Sequence, residues 1–561
     1  MSIARELPKS VLEAPALQRR REVRRVRHTL KVAAVATCIG LLAGVFSMRS
    51  GLAVAYADSD AHLTIARRLW DGSAPGLGQL GTVWLPLPHL LLAPFTLVAL
   101  IDPELWRIGL TGVLVSSLCL GVTTAALYRI MWRMGITSAV IAVAALAVFV
   151  LNPTILLLHS TAMTEPILLA GVAMATSGAS GFIASERPLS GGEIFVYIGL
   201  PTALTVGSRY DGWAFALAAS SAVLLIAHVR WRSSSYSLRM ALSAALPAAA
   251  VGVWWVVVNW VQNGDILAFQ RGPYSAQFQQ LQLQSLEVLP TKGSLWVSLD
   301  TYAWTAWYAL GGIAVFVTVA GLLAALIREP FSARTLPMWL LTFTFPFYVV
   351  SLAAGQSVIK HAMTTPPGLF NIRHGAPLAM VSALAAAYLM QSLADPLAAR
   401  IRPILVSARL AQRSRLIAVL AVSTPILAVT LADYAKALDP SVAAVPSLAE
   451  ARFTSPSSSD LSAAVEFIRA NRQPHQTLLI DEAANPALVA LGIDFNSVWA
   501  RFSPGFDSQL RDPTADWVLC RTGPSSDDVC QAAIAEPLFA QRYVLAFSSG
   551  DRVVLQRVEG L

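Results

Sequence analysis

Long apolar runs separated by short arginine-containing segments dominate the chain. About eleven of these runs are close to the 20 or so residues that an α-helix needs to cross a bilayer. Hydrophobic residues make up 55% of the 561 residues and charged residues only 13%, whereas soluble proteins carry about 25% charged residues. The pattern predicts a polytopic α-helical membrane protein with spans near residues 32–48, 107–128, 137–158, 164–184, 192–208, 212–229, 238–260, 303–327, 335–354, 373–394 and 415–432.

The arginines between the runs predict the orientation of the spans, because cytoplasmic segments are enriched in Lys and Arg. Residues 1–31 form a basic tail, and further arginines follow the even-numbered spans. All of them fall on the side of the tail, so we expect a cytoplasmic N-terminus and an extracytoplasmic C-terminus. Because the arginines lie in short clusters between apolar runs, the net charge of +8 is attributed to orientation of the spans and not to binding of nucleic acid. Arginines that set this orientation are Arg129, Arg133, Arg187, Arg230, Arg232, Arg239, Arg328, Arg334, Arg400, Arg402, Arg409, Arg413 and Arg415.

Residues 84–101 are apolar but contain Pro86, Pro88 and Pro94. Counting this segment as a span would move Arg129 and Arg133 to the outer side. We therefore predict a re-entrant or interfacial helix inside a first outer loop that covers about residues 49–106. A signal-peptidase site at residues 55–57 is an alternative for this region.

The chain is predicted to divide into the basic tail at 1–31, a transmembrane domain at 32–432 and a soluble extracytoplasmic domain at 433–561. A helix near 459–472 and short apolar runs near 477–480, 517–520 and 543–547 predict a small α/β domain. Cys520 and Cys530 lie in this domain. An oxidising outer compartment would permit a disulfide between them, and two free thiols are the alternative.

The stretch YADSDAHL, residues 56–63, places Asp58, Asp60 and His62 at the start of a helix, directly after the first span. Acidic residues at a helix N-terminus stabilise the helix by about 0.3–1 kcal/mol, so capping alone is one interpretation. Capping needs only one carboxylate, and charge close to a bilayer is costly. A functional site is the alternative interpretation.

Other polar residues gather at the outer ends of the odd-numbered spans. Charged groups that converge on one face of a membrane domain favour a site over separate interfacial anchors. These residues are Glu165 after the third span, Arg209, Tyr210 and Asp211 after the fifth, Arg271 after the seventh, and Lys360, Arg373 and His374 after the ninth.

The order and sidedness of these motifs resemble the GT-C superfamily of membrane glycosyltransferases. Members include protein mannosyltransferases and the aminoarabinose transferases of lipid A. The stretch from Asp60 to Gly72 resembles the family's acidic motif and the helix that follows it. The motifs TEP (164–166), RYDGW (209–213) and NGD (263–265) resemble recurrent elements. The resemblance covers roughly residues 32–432 and implies a GT-C-like fold of about 11 transmembrane helices. Adjacent acidic residues are common in the family, whereas Ser59 separates two aspartates here, so either can be the equivalent.

The resemblance implies transfer of a sugar from a polyprenyl-phosphate donor to a hydroxyl of a glycan, lipid or protein acceptor, with inversion. Such a reaction needs a general base and stabilisation of the leaving phosphate. Asp60 is the first candidate for the base and Asp58 the second. Candidate cations for the phosphate are Arg209, Arg373, Arg271 and Lys360, and candidate contacts to sugar or acceptor are His62, Glu165, Tyr210, Asp211 and His374.

No metal is required by this chemistry, although Asp58 and Asp60 together offer oxygen ligands suited to Mg²⁺ or Mn²⁺. The family resemblance places the protein in the plasma (inner) membrane of a prokaryote. Rival interpretations are a transporter or flippase, a polysaccharide polymerase or ligase, and a non-catalytic envelope subunit. The C-terminal domain is expected to bind the acceptor or cover the site, or only to stabilise the protein.

Overall fold

The computed structural model describes residues 9–80, 83–273, 275–404, 408–436, 446–454, 460–523 and 526–558. The N-terminal quarter of the chain begins with one long helix and ends with a second long helix that runs back along it. Short helices between these two form the first loop. The helices are α1 (Lys9–Arg49), α2 (Ala57–Arg67), α3 (Pro86–Thr96), α4 (Val98–Ile101), α5 (Pro103–Arg107) and α6 (Leu110–Arg133).

Helices α1 and α6 pack antiparallel because small residues let their backbones approach closely. A Cβ atom added at Gly40 would lie 3.0 Å from Ser117, and one added at Gly121 would overlap Thr37. The antiparallel pairing brings the end of α1 next to the start of α6. Helices α2 to α5 therefore lie together at one end of the helix bundle, where the first outer loop is predicted.

The middle of the chain contains two apolar runs that are broken rather than continuous. Pro153 follows Asn152, whose side chain accepts a hydrogen bond from the Ile155 N–H and starts a new helix. A five-residue π-helical turn, Phe195–Gly199, interrupts the second run. The helices are α7 (Ala139–Val150), α8 (Pro153–Leu158), α9 (Glu165–Ala184), α10 (Gly191–Ile194), α11 (Leu200–Val206) and α12 (Asp211–Trp231).

The remaining helices of the bundle include a sharp bend at Gly311, where φ is 84°. Glycine adopts this backbone conformation without the steric cost that other residues pay. The two helices that meet there are bent by 112°. The helices are α13 (Ser234–Asn263), α14 (Ala268–Arg271), α15 (Ala276–Leu286), α16 (Leu295–Leu310), α17 (Gly312–Arg328), α18 (Leu336–Leu341), α19 (Thr344–Ala353), α20 (Leu378–Ile401), α21 (Ala408–Gln412) and α22 (Ser414–Ala435).

Every predicted span has a helical counterpart in the structure. Within the described residues, eight helical segments are long and apolar enough to cross a membrane, and the bent pair α16–α17 adds a ninth if it counts as one span. The predicted spans 137–158 and 192–208 correspond to shorter apolar helices. Residues 86–101 also form a shorter apolar helical segment. This agrees with the expectation, based on the three prolines, that the segment is helical but is not a full span. The chain is thus a helical membrane protein.

A five-stranded mixed sheet with flanking helices forms the C-terminal domain, in the order β2-β1-β3-β5-β4. Strands β1, β2 and β3 are parallel, whereas β5 runs antiparallel to β3 and β4. Strands β4 and β5 form a hairpin, and the helix and apolar runs predicted for this region belong to an α/β domain. The elements are α23 (Pro446–Thr454), α24 (Asp460–Asn471), β1 (Leu478–Ile480), α25 (Leu488–Leu491), β2 (Val498–Trp499), α26 (Phe506–Arg511), β3 (Trp517–Arg521), α27 (Asp528–Ala535), α28 (Pro537–Arg542), β4 (Tyr543–Ser549) and β5 (Arg552–Arg557).

The C-terminal domain packs directly on helix α2. Leu63 and Ala66 of α2 belong to one buried cluster with Val489 and Phe495 of the domain. Arg67 lies over the Phe495 ring at 4.5 Å and forms a buried ion pair of 2.6 Å with Asp71. One side of α2 is consequently covered by this domain.

Candidate functional site

A polar cavity of about 200 Å³ lies at the loop end of the helix bundle. Its walls include α2, the segment before α3, the segment between α11 and α12, parts of α15 and α19, and the 3₁₀ turn Ile372–Gly375 that precedes α20. Seven residues predicted from the sequence line it together. They are Asp58, His62, Arg209, Tyr210, Asp211, Arg373 and His374.

Helical geometry decides which side chains of α2 reach this cavity. Asp58 and His62 are four residues apart and therefore share one face of the helix. Asp60 is two residues from each, about 200° around the helix at 3.6 residues per turn. The two aspartates must point in different directions.

Arg373 is the centre of the charged network beside the cavity. Its Nη2 donates to Asp58 Oδ2 at 2.5 Å, its Nε to Glu165 Oε1 at 3.1 Å and its Nη1 to Glu450 Oε1 at 3.4 Å. The guanidinium also lies over the Tyr56 ring, 5.1 Å from its centroid. Contacts on every edge and on one face fix the orientation of this cation.

Arg209 joins the same network through Glu165. Its Nη1 donates to Glu165 Oε1 at 2.8 Å, and its Nε donates to Asp211 Oδ1 at 3.3 Å. Tyr348 donates its hydroxyl to Asp211 Oδ2 at 3.0 Å. One oxygen of Glu165 thus holds two guanidinium groups close together, and both cations face the cavity. Glu165 itself is buried and does not line the cavity.

Glu450 of α23 belongs to this network, and sequence reasoning did not find it. Its carboxylate accepts the backbone N–H groups of Asn371 at 2.7 Å and Ile372 at 3.1 Å. Burial raises the pKa of Glu450. Asn371 has a left-handed backbone, with φ of 58°, and directly precedes the turn that carries Arg373. Glu450 therefore anchors the turn, but it sits in a Pro- and Ser-rich stretch that carries no motif.

Asp60 lies on the other face of α2, against the C-terminal domain. Its Oδ2 accepts the backbone N–H of Val489 at 3.0 Å, and its Oδ1 contacts Thr64 Oγ1 at 3.5 Å. Burial raises the pKa of Asp60 to about 7. Asp60 does not line the cavity that Asp58 lines. The two carboxylates have separate partners, so this arrangement does not offer them to one metal ion.

His62 faces the cavity as a neutral imidazole. Its Nδ1 lies 3.0 Å from Nε2 of His89, and its ring makes an edge contact with Trp84. Burial lowers the pKa of His62 to about 4. At neutral pH this side chain offers hydrogen bonds to a ligand but no positive charge.

Three other predicted sites lie away from the cavity. Arg271 forms an exposed ion pair of 3.0 Å with Asp265, and Lys360 pairs with Glu287. Neither cation lines the cavity. Cys520 and Cys530 are disulfide-bonded in the C-terminal domain, with Cα atoms 5.2 Å apart. Of the four cations predicted to bind phosphate, Arg209 and Arg373 line the cavity, and Arg271 and Lys360 do not.

Comparisons with known proteins returned structural similarity only. No family model matches the chain, and no curated protein matches it. Two crystal structures of ArnT from Cupriavidus metallidurans are similar at 12% sequence identity. The structure bound to undecaprenyl phosphate has a TM-score of 0.49 and covers 92% of this chain and 98% of that chain. The apo structure has a TM-score of 0.46, with coverages of 89% and 93%. Neither TM-score reaches 0.5.

Proposed function

We propose that this chain is a GT-C-type membrane glycosyltransferase. It moves a sugar from a polyprenyl-phosphate donor to a hydroxyl of a glycan, lipid or protein acceptor. The observation that carries the proposal is the shared cavity of one half-exposed carboxylate, Asp58, and two arginines, Arg209 and Arg373. This set supplies a base and an anion site at the end of an apolar helix bundle, where a lipid-linked substrate presents its head group.

Asp58, rather than Asp60, is the proposed general base. The Asp58 side chain keeps 36% of its surface exposed, whereas Asp60 is buried against Val489. A base must come within hydrogen-bond reach of the proton that it removes. Of these two aspartates, Asp58 is the one that meets this condition for a ligand in the cavity.

Arg209 and Arg373 are the proposed phosphate-binding groups. Guanidinium groups suit phosphate because they donate two parallel hydrogen bonds. In the present structure Asp58 occupies Nη2 of Arg373. A donor phosphate would compete for that position, and its binding would release the Asp58 carboxylate toward the acceptor. Donor binding and activation of the base are thereby linked through one guanidinium group.

The proposed reaction is a direct displacement at the anomeric carbon. The acceptor oxygen forms a bond to this carbon while the bond from the carbon to the phosphate oxygen breaks. Asp58 takes the hydroxyl proton, and the bonding electron pair leaves on the phosphate beside the arginines. A single displacement inverts the anomeric configuration. A product with the configuration of the donor would contradict this step.

The proposed chemistry does not depend on a metal ion, because phosphate is already a good leaving group beside two guanidinium groups. Transfer should therefore continue after EDTA treatment. We further propose that the cavity faces the extracytoplasmic side of the plasma membrane. The distribution of arginines supports this orientation.

The proposal is tested by sugar transfer with the purified, reconstituted protein. A panel of polyprenyl-phosphate sugars is offered with cell-envelope extract as the acceptor. Asp58→Asn preserves the shape of the side chain but is a much weaker base, and a loss of about a hundredfold or more is expected. Asp60→Asn is the matched control on the other face of α2 and should stay within about threefold of the wild type.

The possible outcomes distinguish the transferase class from the identity of the base and from the flippase alternative. If Asp60→Asn is inactive while Asp58→Asn retains activity, the transferase class stands and the assignment of the base is wrong. If both variants match an active wild type, no aspartate of α2 acts as the base. Transport of the intact lipid-linked sugar without transfer would instead support the flippase interpretation.

A further inference from the structure

A second cavity lies at the opposite end of the helix bundle. It is an open groove of about 880 Å³ between α1, α6, α9 and the π-helical turn Phe195–Gly199. Helix α6 has 24 residues and so is about 36 Å long at 1.5 Å per residue. This length separates the groove from the polar cavity near Asp58, so the groove is not part of that site.

The groove has apolar sides and a cationic end. Ala33, Val122 and Pro201 line its sides, and Arg129 and Arg133 line its end. Val122 and Tyr197 expose 39% and 60% of their surface, so the groove opens sideways toward the region that the bilayer occupies. This shape suits a molecule with a hydrocarbon chain and a negatively charged head group.

Arg133 is a half-buried cation that donates hydrogen bonds to neutral oxygens of α9. Its Nη1 donates to the backbone oxygen of Ser177 and to the hydroxyls of Ser177 at 3.3 Å and Ser180 at 2.9 Å. Gly181 makes room for the guanidinium, because a Cβ atom there would lie 3.1 Å from Nη2. Among the side chains that the structure describes, which begin at residue 24, no carboxylate lies within ion-pair distance of Arg133. A partly buried charge without a counter-charge is costly.

Arg129 and Arg25 add further positive charge beside Arg133. Arg129 is four residues before Arg133 and exposed, and Arg25 lies over the Trp132 ring at 3.6 Å. Glu193 is the acidic residue that lines the groove, but Arg187 already pairs with it at 2.5 Å. Among the side chains described from residue 24 onward, positive charges therefore outnumber negative ones at this end of the groove.

We propose that this groove binds an anionic glycerophospholipid, with its phosphate at Arg129 and Arg133 and an acyl chain along the apolar sides. Basic pockets between transmembrane helices bind anionic lipid head groups through this combination of charge and apolar surface. A membrane phospholipid reaches the groove by lateral diffusion. The polyprenyl-phosphate donor is placed at the other end of the bundle by the proposed function, which this inference does not require.

The test is native mass spectrometry of the purified full-length protein, which is titrated with defined lipids. Phosphatidylglycerol and phosphatidylcholine with identical acyl chains are compared, and a polyprenyl phosphate forms a third arm. Phosphatidylglycerol should bind at least about fivefold more tightly than phosphatidylcholine, since one cation near a lipid phosphate contributes about 1 kcal/mol.

Three variants locate the binding. Arg129→Gln removes an exposed charge and should weaken binding of phosphatidylglycerol about fivefold without a change for phosphatidylcholine. Ala125→Phe fills the groove, which Ala125 lines, and should weaken binding of both lipids. Arg413→Gln removes an exposed arginine outside the groove and should change nothing.

Equal affinity for the two phospholipids would overturn the proposal, as would an Arg129→Gln variant that binds phosphatidylglycerol like the wild type. Tighter binding of the polyprenyl phosphate than of phosphatidylglycerol, lost in Arg129→Gln, would overturn the phospholipid assignment and make the groove a carrier-lipid site. These readouts do not depend on glycosyl transfer, so a failure here is distinct from a failure of the proposed transferase activity.

Discussion

The two faces of helix α2 carry the same functional group in opposite environments. On the cavity face, Asp58 is partly exposed and lies 2.5 Å from Arg373. On the domain face, Asp60 is buried, and the described residues offer it no cation within ion-pair distance; the N–H of Val489 binds it instead. The two positions are about 200° apart around the helix. One carboxylate is therefore accessible to a ligand in the cavity, and the other contacts the C-terminal domain.

A short acidic motif therefore does not indicate which of its carboxylates faces the cavity. Asp58 and Asp60 are the same residue type and lie only two positions apart, shortly after the first span. Their difference arises from what packs on each face of α2. The network of Arg373 covers one face, and the C-terminal domain covers the other.

Among substitutions in the network around α2, the largest effect is expected for Arg373→Lys, which would disrupt the cavity face while keeping its charge. Lysine cannot contact Asp58, Glu165 and Glu450 at once, because it lacks the planar fork of the guanidinium group. We expect the rate of sugar transfer to fall about a hundredfold. Arg271→Lys is the matched control, since Arg271 pairs with Asp265 outside the cavity, and its transfer rate should equal that of the wild type. Normal activity of Arg373→Lys would show that this guanidinium does not bind the phosphate.

A smaller effect is expected for Glu450→Gln. The amide oxygen of glutamine can still accept one backbone N–H, but the charge opposite Arg373 is lost, so the turn at Asn371 should loosen. A positioning role predicts about a tenfold fall in transfer rate, with partial recovery in Glu450→Asp, which restores the charge. Steady-state kinetics measured over a range of donor concentrations check both variants. An equally low rate in the Asp and Gln variants would argue against a role for the charge.

The smallest effect on activity is expected for Asp60→Asn, which should instead change stability in a pH-dependent manner. Folded Asp60 has a pKa of about 7, whereas an unfolded aspartate has a pKa of about 3.9. Between these values the folded state binds more protons, so wild-type stability should fall as the pH rises, by the order of a few kcal/mol in total.

The measurement is the apparent melting temperature between pH 5 and pH 8. Asp60→Asn should flatten its decline with rising pH, whereas Asp507→Asn, at an exposed position, should keep the wild-type slope. An unchanged slope in Asp60→Asn would show that the buried carboxylate does not titrate in this range.

Most of the architecture could be predicted from the sequence because hydrophobic length is a local property. The runs at 107–128 and 164–184 became α6 and α9 with small changes at their ends. The interruptions of the helices at Asn152-Pro153 and at Gly311 were harder to predict, because both lie inside runs whose average hydropathy stays high. Seven of the predicted site residues also meet in one cavity, because they all follow spans that end on the same side.

The pairing of particular groups was not predictable in the same way. Glu450 is 77 residues from Arg373 in the chain, and nothing in its local sequence indicates that it turns back into the site. The positions of Arg271 and Lys360 outside the cavity could not be predicted either. The sequence indicated only that these cations lie on the same side of the membrane as the cavity.

The sequence by itself determined that the chain forms a bundle of membrane-spanning helices with polar residues at one end and a small α/β domain after them. Length, hydropathy and charge distribution are enough for this, since each span must satisfy its own backbone hydrogen bonds. Only the tertiary structure decided which aspartate faces the cavity, which arginines share Glu165 and which helices bring Arg129 and Arg133 to the end of a groove. Those properties depend on the rotation of each helix against distant partners, and no local pattern records that rotation.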